Sequence, residues 1–154
     1  MKMTEELKKA QANLVPGAIV EEGFLGHDRR PLADIIQHDE EAFAEHGLSW
    51  DAVAERLKYL LAEGEKGLGE PVTVEGKWRV FVYEARGQFA CPWEDGLFHK
   101  DSVTVQRLEN GHPVGDRLVF NQLCIHMLEK HHFLEGLGSS FRLHPAALRN
   151  VLNL

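Results

Sequence analysis

In the first half of the chain the apolar residues recur at intervals of three and four. Leu32, Ile35, Ile36 and Phe43 keep this spacing after Pro31, whose fixed φ and missing N–H suit the start of a helix. The run stops at Gly47, a natural helix terminator. Ser49 is a good N-cap for the next helix, on which Trp50, Val53, Ala54, Leu57, Leu60 and Leu61 form one apolar face. Gly64, Gly67 and Gly69 end that helix. The connection "HGLS" is short, so the two are expected to pack side by side as a helical hairpin. Ahead of them, Thr4 can cap a short helix with Glu5 and Glu6 in its first turn. "VPGAIVEEGFLG" breaks that helix at Pro16 and Gly17 and leaves room for one short strand.

After Pro71 the period changes to two. "VTV" and "KWRVFVYEA" flank Glu75-Gly76, which can turn the chain between antiparallel strands. Trp78, Val80 and Val82 point one way and Arg79, Phe81 and Tyr83 the other, and bulk on both faces predicts a strand that is central or covered on both sides. "DSVTVQRLEN" reads as a further strand, "NGHPVGD" as a loop and "RLVFNQL" as a returning strand. "CIHMLEKHHFL" has helical spacing at Ile125, Leu128 and His132, and Pro145 opens a last short helix. The order predicts an α+β fold: N-terminal helices, including the helical hairpin, packed on an antiparallel sheet of about 3–5 strands, with C-terminal helices. Residues 1–154 read as a single globular domain.

Composition narrows the function classes. A chain of 154 residues can bury about 70% of its unfolded surface and needs no metal or disulfide to fold. The 17 basic and 24 acidic residues give a formal charge of -7, which works against phosphate backbones and anionic lipid. Neither nucleic acid nor membrane is therefore expected as a partner. Phe81 and Tyr83 on one strand faintly suggest an RNA-binding sheet, but they lack basic neighbours. The charged N-terminus lacks the apolar core of a signal peptide, and no apolar run approaches the roughly 20 residues of a membrane span. Cys91 and Cys124 do not suggest a disulfide framework, so a reduced cytoplasm is the expected location. No phosphate-binding glycine frame or nucleophile elbow is present, and no cofactor is expected.

Candidate chemistry gathers in "QFACPWEDGLFHKD". A dithiol motif would need a second cysteine where Glu94 stands, and the acidic Glu94 and Asp95 disfavour a thiolate at Cys91. Cys91 is therefore expected as a small buried apolar residue, alternating with Phe89 and Trp93 on one face. Glu94, Asp95 and Gly96 would form a polar turn, with Gly96 free to take positive φ. Trp93, Glu94, Asp95, Phe98 and His99 are the binding candidates, because they place aromatics, carboxylates and an imidazole on one connection between strands. Glu94 and His99 could act as acid and base or as metal ligands.

"HMLEKHHF" supplies His126, His131 and His132 as weaker metal candidates, with His144 as a further one. A zinc pair on one helix wants spacing four, where Lys130 stands. His131 and His132 lie five and six residues from His126 and would point elsewhere on a regular helix; a helix ending near Lys130 would let one turn back. Asp34, His38, Glu41 and Glu45 form a polar stripe expected to face solvent.

"GHDRRPLADII" together with "CPWEDG" resembles a group of small uncharacterised bacterial cytosolic proteins of unassigned function. The resemblance implies a free-standing cytoplasmic protein and assigns no activity, cofactor or residue role. The expected function is a non-catalytic domain that binds a partner protein or self-associates, with Trp93 and Phe98 as anchors. The alternative is a small metal-assisted hydrolase or ligand-binding protein using the Glu94/His99 loop and the His126–His132 segment.

Overall fold

A computed structural model describes all of residues 1–154. In chain order it contains α1 (Glu5–Asn13), α2 (Leu32–Glu45), α3 (Trp50–Glu65), β1 (Val72–Val74), β2 (Trp78–Ala90), β3 (Leu97–Glu109), β4 (His112–Phe120), α4 (Gln122–His131) and α5 (Pro145–Leu152). The fold is α+β: the four strands form an antiparallel meander in the order β1-β2-β3-β4. No helix is long and apolar enough to cross a membrane.

Local chemistry accounts for most boundaries. Thr4 Oγ1 accepts from Leu7 N and Ser49 Oγ from Ala52 N, so α1 and α3 start at hydroxyl caps. Asn121 Oδ1 does the same for α4 by accepting from Cys124 N at 2.8 Å. Glu75 and Gly76 both have positive φ and close the β1–β2 turn. Trp78, Val80 and Val82 are buried beneath α3, and Gly64 allows the close approach: a Cβ there would lie 2.6 Å from Val80 Cγ1. Trp78 Nε1 donates to Val151 O at 2.7 Å and ties α5 to the same core.

Four features differ from the sequence expectation. Residues 14–31 form turns and bends, with no strand. The α2–α3 corner is held by the stacked rings of Phe43 and Trp50; from it α2 runs to α1 and α5, while α3 runs to the sheet and α4, so the two helices meet at one end and not along their length. The apolar face of α2 (Leu32, Ile35, Ile36) enters a second core with Cys91, Leu123 and Met127. β2 continues past Ala85 to Ala90, and β3 starts at Leu97 ahead of Asp101, as one long hairpin with an irregularity between Glu84 and Gln88. β4 begins at His112, because Asn110 and Gly111 make the whole turn with positive φ, and Pro113 is tolerated on an edge strand. β2 is central in the sheet, one of the two arrangements its bulky faces predict; Arg79 and Tyr83 are exposed and Phe81 half-buried, so it is covered on one face.

Candidate metal centre

The tip of the β2–β3 hairpin, residues 91–96, folds back on itself. Cys91 N donates to Gly96 O at 3.0 Å, and Glu94 N to Cys91 O at 2.8 Å. The positive φ falls on Glu94 (60°), while Gly96 does not need it, which corrects the expected placement. Asn13 Nδ2 donates to Pro92 O at 2.8 Å and fastens the tip to α1. Asp95 is thereby brought to α4, with its two oxygens between two imidazoles. His126 Nε2 lies 2.9 Å from Oδ1, and His131 Nε2 lies 2.7 Å from Oδ2. A carboxylate accepts in such contacts, so each imidazole presents its Nε2–H to Asp95.

His131 reaches Asp95 because it is the last residue of α4. His132 turns left-handed as the C-cap (φ 54°, ψ 33°), and the helix ends there. The helix thus ends next to Lys130, the condition under which one of the pair was expected to turn back towards His126. Aromatic rings fix both imidazoles: Trp93 stacks on His131 with centroids 4.2 Å apart and an interplanar angle of 6°, and Phe98 lies 4.5 Å from His126. Cys91 is fully buried beneath them, and one donor atom each from Cys91, Asp95, His126 and His131 all lie within 4.8 Å of one another.

The electrostatics of the cluster favour a cation. Burial, followed by the Asp95 carboxylate, pushes the Cys91 thiol up to about 12. Burial pushes the Asp95 carboxyl up, but hydrogen bonds from Cys91, His126 and His131 together outweigh it and hold the group well below the usual carboxylate range. Burial depresses His131, against the pull of Asp95. No Lys or Arg pairs with Asp95. With no positive neighbour the thiol is a poor nucleophile, whereas a bound metal ion would stabilise thiolate and carboxylate and take the imidazoles in neutral form. One sulfur, two nitrogens and one oxygen suit tetrahedral Zn²⁺. Ligands at the usual bond lengths stand about 3.3–3.6 Å apart around such an ion, so the Asp95 contacts at 2.7 and 2.9 Å would open to admit it, and the widest separations in the cluster, up to 4.8 Å, would close.

Of the sequence candidates, Asp95, His126 and His131 meet here, and Trp93 and Phe98 pack on the imidazoles. Glu94 is exposed and His99 is exposed on β3 opposite Gln88, both outside the donor cluster. His132 turns to the α2–α3 corner, 2.8 Å from Glu40 Oε2 and stacked on Trp50. His144 is the exposed N-cap residue of α5. Asp34, His38, Glu41 and Glu45 are all exposed. Cys91 joins the site unanticipated; its signal was the four-residue interval to Asp95. Cys124 is a free buried thiol elsewhere, 3.4 Å from Glu135 Oε2. Comparison with protein-family models, curated proteins and solved structures finds no match to the chain.

Proposed function

We propose that this chain is a metal-binding protein that holds one Zn²⁺ ion between the β2–β3 hairpin tip and the end of α4. The observation that carries the reading is the convergence of Cys91, Asp95, His126 and His131 within 4.8 Å, from two segments fixed by different elements. Four protein donors fill a tetrahedral shell, the pattern of a closed zinc site. The ion would cross-link hairpin and helix and supply the positive charge that the buried thiol lacks.

Protein purified without a histidine tag, stripped with a chelator and titrated with Zn²⁺ should bind one equivalent. Cobalt in place of zinc should give the visible bands of a tetrahedral ion with a sulfur-to-metal charge-transfer band. Cys91→Ser should abolish that band, and His131→Ala should weaken zinc binding by at least tenfold. Absence of binding, or binding indifferent to both substitutions, would end this reading.

A cavity of about 300 Å³ beside His126, lined also by Phe98, Gln122 and Glu129, favours a second reading, metal-assisted hydrolysis. Asp95 is the most exposed donor, its side chain 39% accessible against 15% for His126 and 13% for His131. A ligand that displaced it would leave three protein donors and an open position, as in catalytic zinc sites. Asp95 would then stand beside the ion as a base. Zinc-dependent hydrolysis of an activated ester that Asp95→Asn leaves unchanged would remove this reading while leaving zinc binding intact.

A further inference from the structure

A second concave site has none of the metal donors in its wall. It is a cavity of about 200 Å³ between the turn at residues 20–24, the end of β2, the start of α4 and the segment 135–141. Its chemistry is one-sided: the wall includes Phe24, Phe89 and Phe141 and the acidic Glu21, Glu22 and Glu135, but no Lys, Arg or His.

Glu135 is the decisive group. It is 4% exposed, and its backbone sits at φ 70°, a strained conformation for a residue with a Cβ. The neighbouring Gly136 N donates to Phe24 O at 2.9 Å and holds the strand of chain in place. Ser139 Oγ donates to Glu135 Oε1 at 2.6 Å, and Cys124 Sγ lies 3.4 Å from Oε2. These are neutral partners. The Arg142 guanidinium makes no hydrogen bond to the Glu135 carboxylate: its Nη atoms donate to the buried Asp39, twice at 2.9 Å, and to the backbone oxygen of Glu135, and its buried Nε has no partner. Glu135 forms no ion pair within the chain, and burial accordingly raises its carboxyl to about 7. A buried, strained acid without a cation in a cleft is a candidate binding group.

We propose that this cavity binds a small organic ammonium ion, one ring or short chain carrying a single protonated amine. The phenylalanine rings would face its apolar body and its charge, as aromatic rings do for cations. The Glu135 carboxylate would accept from its N–H donors, and Glu21 and Glu22 would repel anions. The cavity is smaller than the roughly 300–1,000 Å³ that holds a drug-sized ligand, which limits the occupant to this size.

Benzylammonium, benzyl alcohol and benzoate share one shape and differ in charge. Titrated into the full chain at pH 8 and followed by amide and aromatic NMR shifts, benzylammonium should bind saturably and at least tenfold more tightly than benzyl alcohol. Benzoate should not bind. The perturbed signals should be those of Phe24, Phe141 and Glu135, equally in zinc-free and zinc-loaded protein. Glu135→Gln should bring benzylammonium to within about twofold of the alcohol. Equal binding of ammonium and alcohol, tighter binding of benzoate, no binding at all, or shifts confined to other surfaces would overturn the proposal. The three probes decide it on the native chain even where the Glu135 variant fails to fold.

Discussion

Glu135 makes the stability of this protein depend on pH in the sense opposite to that of most paired carboxylates. Its carboxyl titrates near 7 in the folded chain, against an ordinary 4.5, because burial disfavours its charge more than the hydrogen bonds from Ser139 and Cys124 and the charge of Arg142 favour it. The folded chain therefore holds the Glu135 proton more tightly than the unfolded chain does. The stabilisation from that proton is full below about 4.5, falls as pH rises, and is gone once pH has passed the folded value near 7. The gap between the two titrations is worth about 3 kcal/mol. Glu135→Gln keeps an oxygen for Ser139 and has no charge to desolvate. The variant should match the native chain within about 1 kcal/mol at pH 5 and exceed it by about 3 kcal/mol at pH 8. In a domain of this size that corresponds to a rise in Tm of about 6–12 °C at the higher pH. Urea denaturation of both proteins at several pH values between 5 and 8, with a chelator present, isolates the effect, because every other group titrates alike in the two. A difference that stays constant within about 0.5 kcal/mol, or one that favours the native chain more as pH rises, would refute the account of Glu135.

Trp93 is half-buried and stacked on His131, so Trp93→Ala should cost about 1–3 kcal/mol, less than a fully buried aromatic, and weaken zinc binding by about 10–100-fold by freeing the imidazole. Zinc affinity unchanged within twofold would show that the stack does not position His131; an intact melting curve with loss of self-association in sedimentation velocity would instead support the partner-binding function expected from the sequence. Asp39→Ala should destabilise by about 3–5 kcal/mol, because it strands the Arg142 guanidinium, 4% exposed, without its carboxylate. Asp39→Ala combined with Arg142→Met should recover most of that loss in the same denaturation assay, and failure to recover it would locate the cost outside the ion pair.

The fold was legible where a local rule decides the outcome. Thr4 and Ser49 start helices because their hydroxyls take backbone donors, and Leu57 and Leu60 face the core because three-and-four spacing leaves one apolar stripe. The hairpin beyond Ala85 was not legible. Residues 83–88 are exposed, so burial imposes no alternation on them, and pairing with β3 resumes only at Gln88, after the irregularity that follows Glu84. The start of β4 was hidden because Pro113 and Gly115 are loop residues by composition, and only the edge position of the strand makes them admissible. The course of α2 was hidden for a related reason. Its apolar face fits α3 as well as it fits the second core, and the choice rests on contacts with Leu123 and Met127 far along the chain.

The proposed metal centre required two segments to be read together. Histidines five residues apart on a helix lie about 140° apart around its axis, too far to chelate an ion unaided. They converge because Asp95 approaches at the point where α4 stops, and its two oxygens span the gap from His126 on one side to His131 on the other. On the hairpin, Asp95 four residues after Cys91 argues against a reactive thiol, since a carboxylate raises the thiol rather than activating it. Both arguments remain correct for each segment alone. Joined across 31 residues, they describe a thiol, a carboxylate and two imidazoles with no positive side chain among them. A bound divalent ion would reverse the sign of each local objection: Asp95, which discourages a thiolate, would become its co-ligand, and His126 and His131 would reach the ion from two sides.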